Sequence, residues 1–367
     1  MSSPLNLGAI SPIVDTNTRK TTNWPLLLLN CTFVAIGVIG GPLLSRLYYL
    51  HGGSRSWLSS CTQTAGFPIL FLPLLSLFVQ SRSQGESLSV FFMEPKLFIL
   101  SAIIGVLFGL DNFMYSLGLS YTPVSTSSIL FSTNLAFLAV FAFFIVKQKF
   151  TPYSVNAVIL MTLGSVLLAL RSEGDRPAGV SNAQYWLGFI LTLGSAAVLG
   201  LLWPLVEMSY SKSTRPVNYG VVLQFQINLA IFATLFSLTG MAINKDFQAM
   251  GKEANEYGLG NGMYYLVLCA GTVVWQLTFI GGLGVIFCAN SLLNGVLGAV
   301  LLPITNLAAV IFYHEKFNGL KAMSLVLCLW GFTSYFYGEY SMNKKLKNSP
   351  QAQLGENCAK NEVLSPV

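Results

Sequence analysis

Residues 97–120 read LFILSAIIGVLFGLDNFMYSLGLS, an unbroken run of apolar and small side chains with one charged residue, Asp111, inside it. Coiled at about 1.5 Å per residue, such a run crosses the roughly 30 Å hydrocarbon layer of a bilayer. It lacks the polar stripe of a surface helix and the short alternation of a strand. Tracts of the same kind recur on both sides of it, giving ten predicted spans at 24–50, 58–79, 97–120, 124–146, 153–171, 184–208, 218–243, 262–285, 287–313 and 319–341. The composition agrees. Of 367 residues, 53% are hydrophobic and 9% charged, where a soluble domain carries about 25% charged residues. A water-facing surface cannot be built from so few charges, which excludes a soluble catalytic domain and predicts an all-α polytopic membrane protein.

The formal charge of +6 sits mostly in short connections between spans, where it reports topology and gives no sign of a nucleic-acid partner. With a cytoplasmic N-terminus, twelve of the 20 basic residues fall on the inner side, among them Arg82, Lys96, Lys147, Lys149, Lys212 and Arg215. Both termini are therefore expected in the cytoplasm. Residues 1–23 are polar and have no apolar stretch of the removable-signal kind. Residues 342–367 are polar and aperiodic, and both ends read as disordered. The six cysteines form no CxxC pair and five lie in or beside apolar tracts, so neither a disulfide nor a metal is expected. His51 and His314 fall in loops, which gives no catalytic or cofactor role. Pro42, Pro68, Pro73, Pro204 and Pro303 fall within spans, where broken backbone is tolerated next to protein or a water-lined cavity.

An internal repeat organises the chain. Thr133-Asn134-Leu135-Ala136 followed by Lys149-Phe150 and Gly164 recurs as Thr305-Asn306-Leu307-Ala308, Lys316-Phe317 and Gly331. Phe150 to Gly164 and Phe317 to Gly331 are the same distance apart, whereas the stretches between the first two elements differ in length. Five spans per half, 24–171 and 172–341, would insert the second copy upside down. Inverted repeats of this kind characterise many secondary transporters, with the substrate site near the midplane between the halves.

Asp111 and Glu207 are the main acids within the spans. A carboxylate at that depth is costly unless paired, protonated or facing water, and so points to function, here the exchange of a proton in each cycle. The alternative for Asp111 is a local hydrogen bond at an interface, and for Glu207 a position one turn from the Lys212 and Arg215 loop. No Lys or Arg occupies the middle of a span, so the cationic clamps that phosphorylated substrates require are absent. What the spans hold instead is amide and aromatic character: Asn112, Tyr115, Asn134, Trp203, Gln224, Gln226, Asn228, Trp275, Gln276, Asn290, Asn294 and Asn306. Carboxamides offer donor and acceptor to a ring edge and indoles offer a face, which suits a flat nitrogen heterocycle. Any one amide serves as readily to glue helices together, and Trp24, Trp57 and Trp186 open spans as interfacial belt residues.

Gly40-Gly41-Pro42-Leu43-Leu44, Arg46-Leu47-Tyr48, His51-Gly52-Gly53, Trp57-Leu58-Ser59-Ser60 and Gln63-Thr64-Ala65-Gly66 closely resemble the start of plant purine permeases. Gly109-Leu110-Asp111-Asn112, Pro123-Val124-Ser125-Thr126-Ser127, Lys147-Gln148-Lys149-Phe150-Thr151, His314-Glu315-Lys316-Phe317 and Trp330-Gly331-Phe332-Thr333-Ser334-Tyr335 extend the resemblance over residues 24–341. It implies a drug/metabolite transporter fold, ten helices in two inverted five-helix repeats. It also implies proton-coupled uptake of adenine, cytokinins or plant alkaloids across the plasma membrane, by alternating access. Carried over by resemblance, the substrate-binding residues are Asn112, Tyr115, Asn134, Trp203, Gln224, Trp275 and Gln276, with Asp111 the preferred proton-coupling residue. The chain departs from the family pattern at Asn134, where many members have Gln, and at Gln224, where they have Glu. Both changes alter the size and charge of a cavity and favour a bulkier or differently charged heterocycle. An antiporter of phosphorylated metabolites or nucleotide sugars on the same fold, and a non-transporting receptor or scaffold, are the alternatives.

Overall fold

The computed structural model describes residues 23–83, 93–147, 151–169, 179–215, 217–314 and 319–347. Lys149-Phe150, Lys316-Phe317 and most of both termini lie outside the described residues. Among the described residues the regular elements are helices and no strand occurs. They are α1 (Trp24–Leu50), α2 (Ser56–Thr64), α3 (Phe71–Ser83), α4 (Pro95–Tyr121), α5 (Val124–Ser132), α6 (Asn134–Ile145), α7 (Pro152–Ala169), α8 (Asn182–Ser211), α9 (Tyr219–Ile243), α10 (Asp246–Glu256), α11 (Asn261–Cys288), α12 (Ser291–Tyr313) and α13 (Gly319–Lys347). Seven helical stretches are long and apolar enough to cross a membrane: 24–50, 56–83, 95–121, 182–211, 219–243, 261–288 and 291–313. Shorter apolar helices cover 134–145, 152–164 and 322–335.

Helix starts follow their caps. The side chain of Asn23 accepts from Leu26 N, with Pro25 in the first turn, and Asn218 accepts from Val221 N at 2.9 Å. Ser181 and Gln184 form a reciprocal capping box on α8. Asn290, grouped with the mid-span amides by sequence, accepts from Leu293 N at 2.7 Å and caps α12. Such caps supply partners for N–H groups that have none within the helix.

Two spans expected to be continuous are broken. The second is interrupted at Gly66 by a single 3-10 turn, Phe67–Leu70, that contains Pro68; a proline cannot continue the hydrogen-bond ladder. The fourth breaks at Thr133, whose hydroxyl bonds back to Leu130 O, and restarts at Asn134. Pro42 and Pro204 lie inside helices that stay continuous. The segment between the seventh and eighth spans, expected as a loop, contains the amphipathic helix α10. Its Glu253 accepts hydrogen bonds from the hydroxyls of Tyr48, Ser54 and Tyr264 and pairs with Arg55, tying α10 to the ends of α1 and α11.

Large apolar side chains face outward, and polar side chains are buried inside the bundle among apolar core residues, as suits a lipid solvent. Leu72, Phe144, Ile190, Ile311 and Phe312 are exposed, whereas Asn30, Ser60, Gln63, Ser101, Thr192 and Ser237 are buried. Interior polar groups pair between helices: Ser60 with Ser237 at 3.0 Å, Thr234 Oγ1 to Thr64 Oγ1 at 2.9 Å, and Asn228 Nδ2 to Phe98 O at 2.9 Å. Asn228 thus joins α9 to α4, the gluing role weighed above. The most extensive pairings are α1 with α11, α7 with α13, and α4 with α8 and α9.

Candidate functional site

Asp111, Asn112 and Tyr115 project from α4 into a hollow walled by α1, α2, α5, α6, α8, α11 and α12. Its volume is about 90 Å³, measured as room for the centres of water molecules. That is space for several waters at roughly 10–15 Å³ each. Each wall element has a local reason for its contribution. The helix restarts at Asn134 after the break at Thr133, and Asn134 lines the hollow with its Nδ2 donating to Ala196 O at 2.9 Å. Trp275 donates its Nε1 to Ser45 Oγ at 3.1 Å and therefore offers the cavity a ring surface and no N–H. Gly41 lies directly behind that ring: a Cβ at Gly41 would come within 2.7 Å of it.

Aromatic edges complete the wall. Tyr115 meets Trp275 and Phe131 edge-on at centroid distances of 5.7 and 5.2 Å. Trp203 and Phe279 each meet Phe108 edge-on at 5.4 Å. Interlocked rings of this kind resist rotation and hold their faces in place. The polar groups are few. Ser195 Oγ donates to Asp111 Oδ1 at 2.7 Å, and Gln63 Nε2 to Ser116 Oγ at 2.8 Å. Asn112 Nδ2 is buried without a hydrogen-bond partner. The lining contains no lysine or arginine, and Asp111 is its one carboxylate. Among the described residues no group of three His, Cys, Asp or Glu is placed to hold a metal ion.

Of the residues singled out by sequence, the cavity brings together Asp111, Asn112, Tyr115, Asn134, Trp203 and Trp275. Three stand apart from its lining. Gln224 accepts a hydrogen bond from Met93 N at 3.0 Å, supporting the segment that leads into α4. Gln276 follows a cavity residue, and the 100° turn per helical residue carries it to the Gly66 side, where both of its amide atoms are buried without partners. Glu207 accepts Ser291 N at 2.8 Å, at the N-terminus of α12, where a helix dipole favours negative charge. Trp57, expected in the interfacial belt, stacks on Phe113 at 3.7 Å. Gln63, Asn294 and Ser195 belong to the site or its support, although only Asn294 stood out by type and spacing. Gln63 lay inside a quoted motif, and Ser195 carried no signal that distinguishes it from other serines in spans.

Apolar spans packed around a mostly apolar hollow with a few converging polar groups define a multi-pass membrane protein, and that hollow is its candidate site. A family model described as purine nucleobase transmembrane transport matches residues 25–345, and the chain belongs to that family, the purine permeases. Purine permease 3 of Arabidopsis thaliana is 44% identical over 334 residues, covering 90% of this chain and 95% of that protein. Purine permease 2 of the same plant is 44% identical over 336 residues, covering 88% and 94%. A solved crystal structure matches with a TM-score of 0.53 at 15% identity, over 84% of this chain and 97% of that one, a likeness of fold alone.

Proposed function

We propose that the protein is a proton-coupled importer of purine-like nitrogen heterocycles, with adenine, cytokinins and plant alkaloids as the substrates to test. It works by alternating access at the plasma membrane with both termini in the cytoplasm. The observation that carries this reading is the convergence of Asp111, Asn112, Asn134 and two indoles on one cation-free cavity. The Trp203 and Trp275 rings give a flat heterocycle apolar surface to pack on, and the carboxamides give its edge donors and acceptors. The same lining has nothing to neutralise a phosphate.

The ten-span, two-repeat architecture belongs to this proposal, and the packing supports it. Counting α2–α3 and α5–α6 as one span each and leaving out α10, a shift of five spans carries the α4–α8 pairing onto α11–α1. The same shift carries α6–α8 onto α12–α1, and it maps α7–α13 onto itself. Asp111 is the proton-coupling residue, because Glu207 is engaged at the start of α12. The test is uptake of radiolabelled adenine, a cytokinin and an alkaloid into yeast. Acidic medium should stimulate it, a protonophore should collapse it, and Asp111→Asn should abolish accumulation while sparing binding. Uptake indifferent to acid and protonophore removes the coupling. Undiminished accumulation in Asp111→Asn removes that residue.

A further inference from the structure

Ser195 is fully buried on α8, and its hydroxyl proton is directed at Asp111 Oδ1 across the α4–α8 contact. The second carboxyl oxygen, Oδ2, has no hydrogen-bond partner among the described residues, and Asp111 lines the cavity. Asn112, also in the lining, has an unpartnered Nδ2. Neither a cation nor a second carboxylate acts on Asp111. The titratable neighbours are Tyr115 on α4 and, beyond it, Tyr49 on α1. The other walls present Gln63 from α2, Phe131 from α5, Asn134 from α6, Trp275 from α11 and Asn294 from α12. On α9, Ala233 and Phe236 pack against this part of α4 at Gly109.

We infer that Ser195 is a positioning residue: by donating to Oδ1 it confines the transported proton to Oδ2, where protonated Asp111 donates to an acceptor nitrogen of the substrate ring. This rests on the proton-coupled reading above and assigns the chemistry of that coupling. The proton comes from the outer solution, forms an O–H bond at Oδ2, and leaves for the inner solution after the substrate has gone; no other covalent bond changes. With Oδ2 unprotonated, the carboxylate charge faces the lone pair of the ring nitrogen and repels it. Proton and substrate therefore bind cooperatively, and by linkage each raises the affinity of the other by the same factor. Asn112 Nδ2 is a second unpartnered donor in the same lining. The substrate class is thus a neutral heteroaromatic that offers a ring-nitrogen acceptor to the Asp111 hydroxyl. A ring whose acceptor nitrogens are methylated has no lone pair to offer and is refused.

The test measures equilibrium binding of adenine and the four monodeaza-adenines to the purified full-length protein between pH 5 and 8. Adenine affinity should rise as pH falls. One deaza analogue should bind about tenfold more weakly at low pH, the scale of a lost hydrogen bond in a buried site, and lose the pH slope. In Ser195→Ala the midpoint of the adenine profile should move up by about one pH unit, because the anion loses one charge-assisted hydrogen bond. Ser195→Thr should restore it, and thermal melts of both variants report folding. If all four analogues follow the pH slope of adenine, or if a folded Ser195→Ala superimposes on the parent, the inference is overturned while proton-driven uptake stands. If parent uptake shows no acid stimulation, the reading beneath it falls.

Discussion

Replacing Gly41 with alanine tests whether the Trp275 face is a fixed wall of a working cavity. The added Cβ would lie 2.7 Å from Cε2 of Trp275 and 2.9 Å from Cδ2 and Cζ2. Carbon atoms prefer about 3.5–4.0 Å, so the indole must retreat by about 1 Å, and the way open is into the hollow. An indole that moves by about 1 Å carries one wall of the cavity inward with it. The shift also strains the Nε1 bond to Ser45 Oγ and the edge contact with Tyr115. Overpacking of this kind costs about 1–3 kcal/mol, and an equal loss of binding free energy lowers affinity by roughly 5- to 150-fold. Gly271, on the same helix as Trp275, is the control, since a Cβ there meets nothing within 4 Å. Adenine uptake and thermal stability should fall in Gly41→Ala and stay at parent values in Gly271→Ala. Trp275→Phe, with a smaller ring, should recover part of the stability lost in Gly41→Ala, giving a coupling of about 1 kcal/mol or more in a double-mutant cycle. If Gly41→Ala and Gly271→Ala transport alike, the Trp275 wall is either yielding or irrelevant to substrate, and the site as described fails.

Glu207→Gln keeps an acceptor for Ser291 N and removes only the charge at the start of α12. Melting should show a loss of about 0.3–1 kcal/mol, and acid-stimulated uptake should persist; an intact protein that has lost acid stimulation would make Glu207 a coupling acid. At the approach to α4, the Thr214 hydroxyl donates to Glu94 at 2.7 Å and holds that carboxyl below the usual carboxylate range. A depressed folded-state value contributes stability that is present above the unfolded value, about 4.3, and is lost as pH falls through the folded one. Melting curves between pH 3 and 6 should therefore decline less steeply for Glu94→Gln than for the parent; parallel curves would deny the Thr214 contact its role.

The parts of this molecule legible in the sequence are those governed by the solvent. A bilayer demands long apolar tracts and penalises isolated charge, so the spans and Asp111 stood out, and carboxamides and indoles at span depth pointed to Asn112, Asn134, Asn294, Trp203 and Trp275, which share a cavity. The remaining features depend on which face of a helix turns inward. Gln276 and Trp275 are adjacent and equally suited to a ring by chemistry, yet one residue of helical rotation separates the wall from the packing behind it. Gln224 and Glu207 were chosen for their depth and chemistry, but each serves a neighbouring backbone N–H, at Met93 and Ser291. Such partners are distant in sequence and unmarked by any pattern. The break at Thr133 shows the same limit in the opposite sense. TNLA was noticed for its recurrence at Thr305, but α12 runs unbroken through that copy while the first copy splits α5 from α6. The same four residues thus sit at a helix break in one place and inside a continuous helix in the other, so the surrounding packing decides which of them bends. Asn134 lines the cavity and Asn306 does not, so the recurrence of a motif does not by itself locate the residue that faces the hollow.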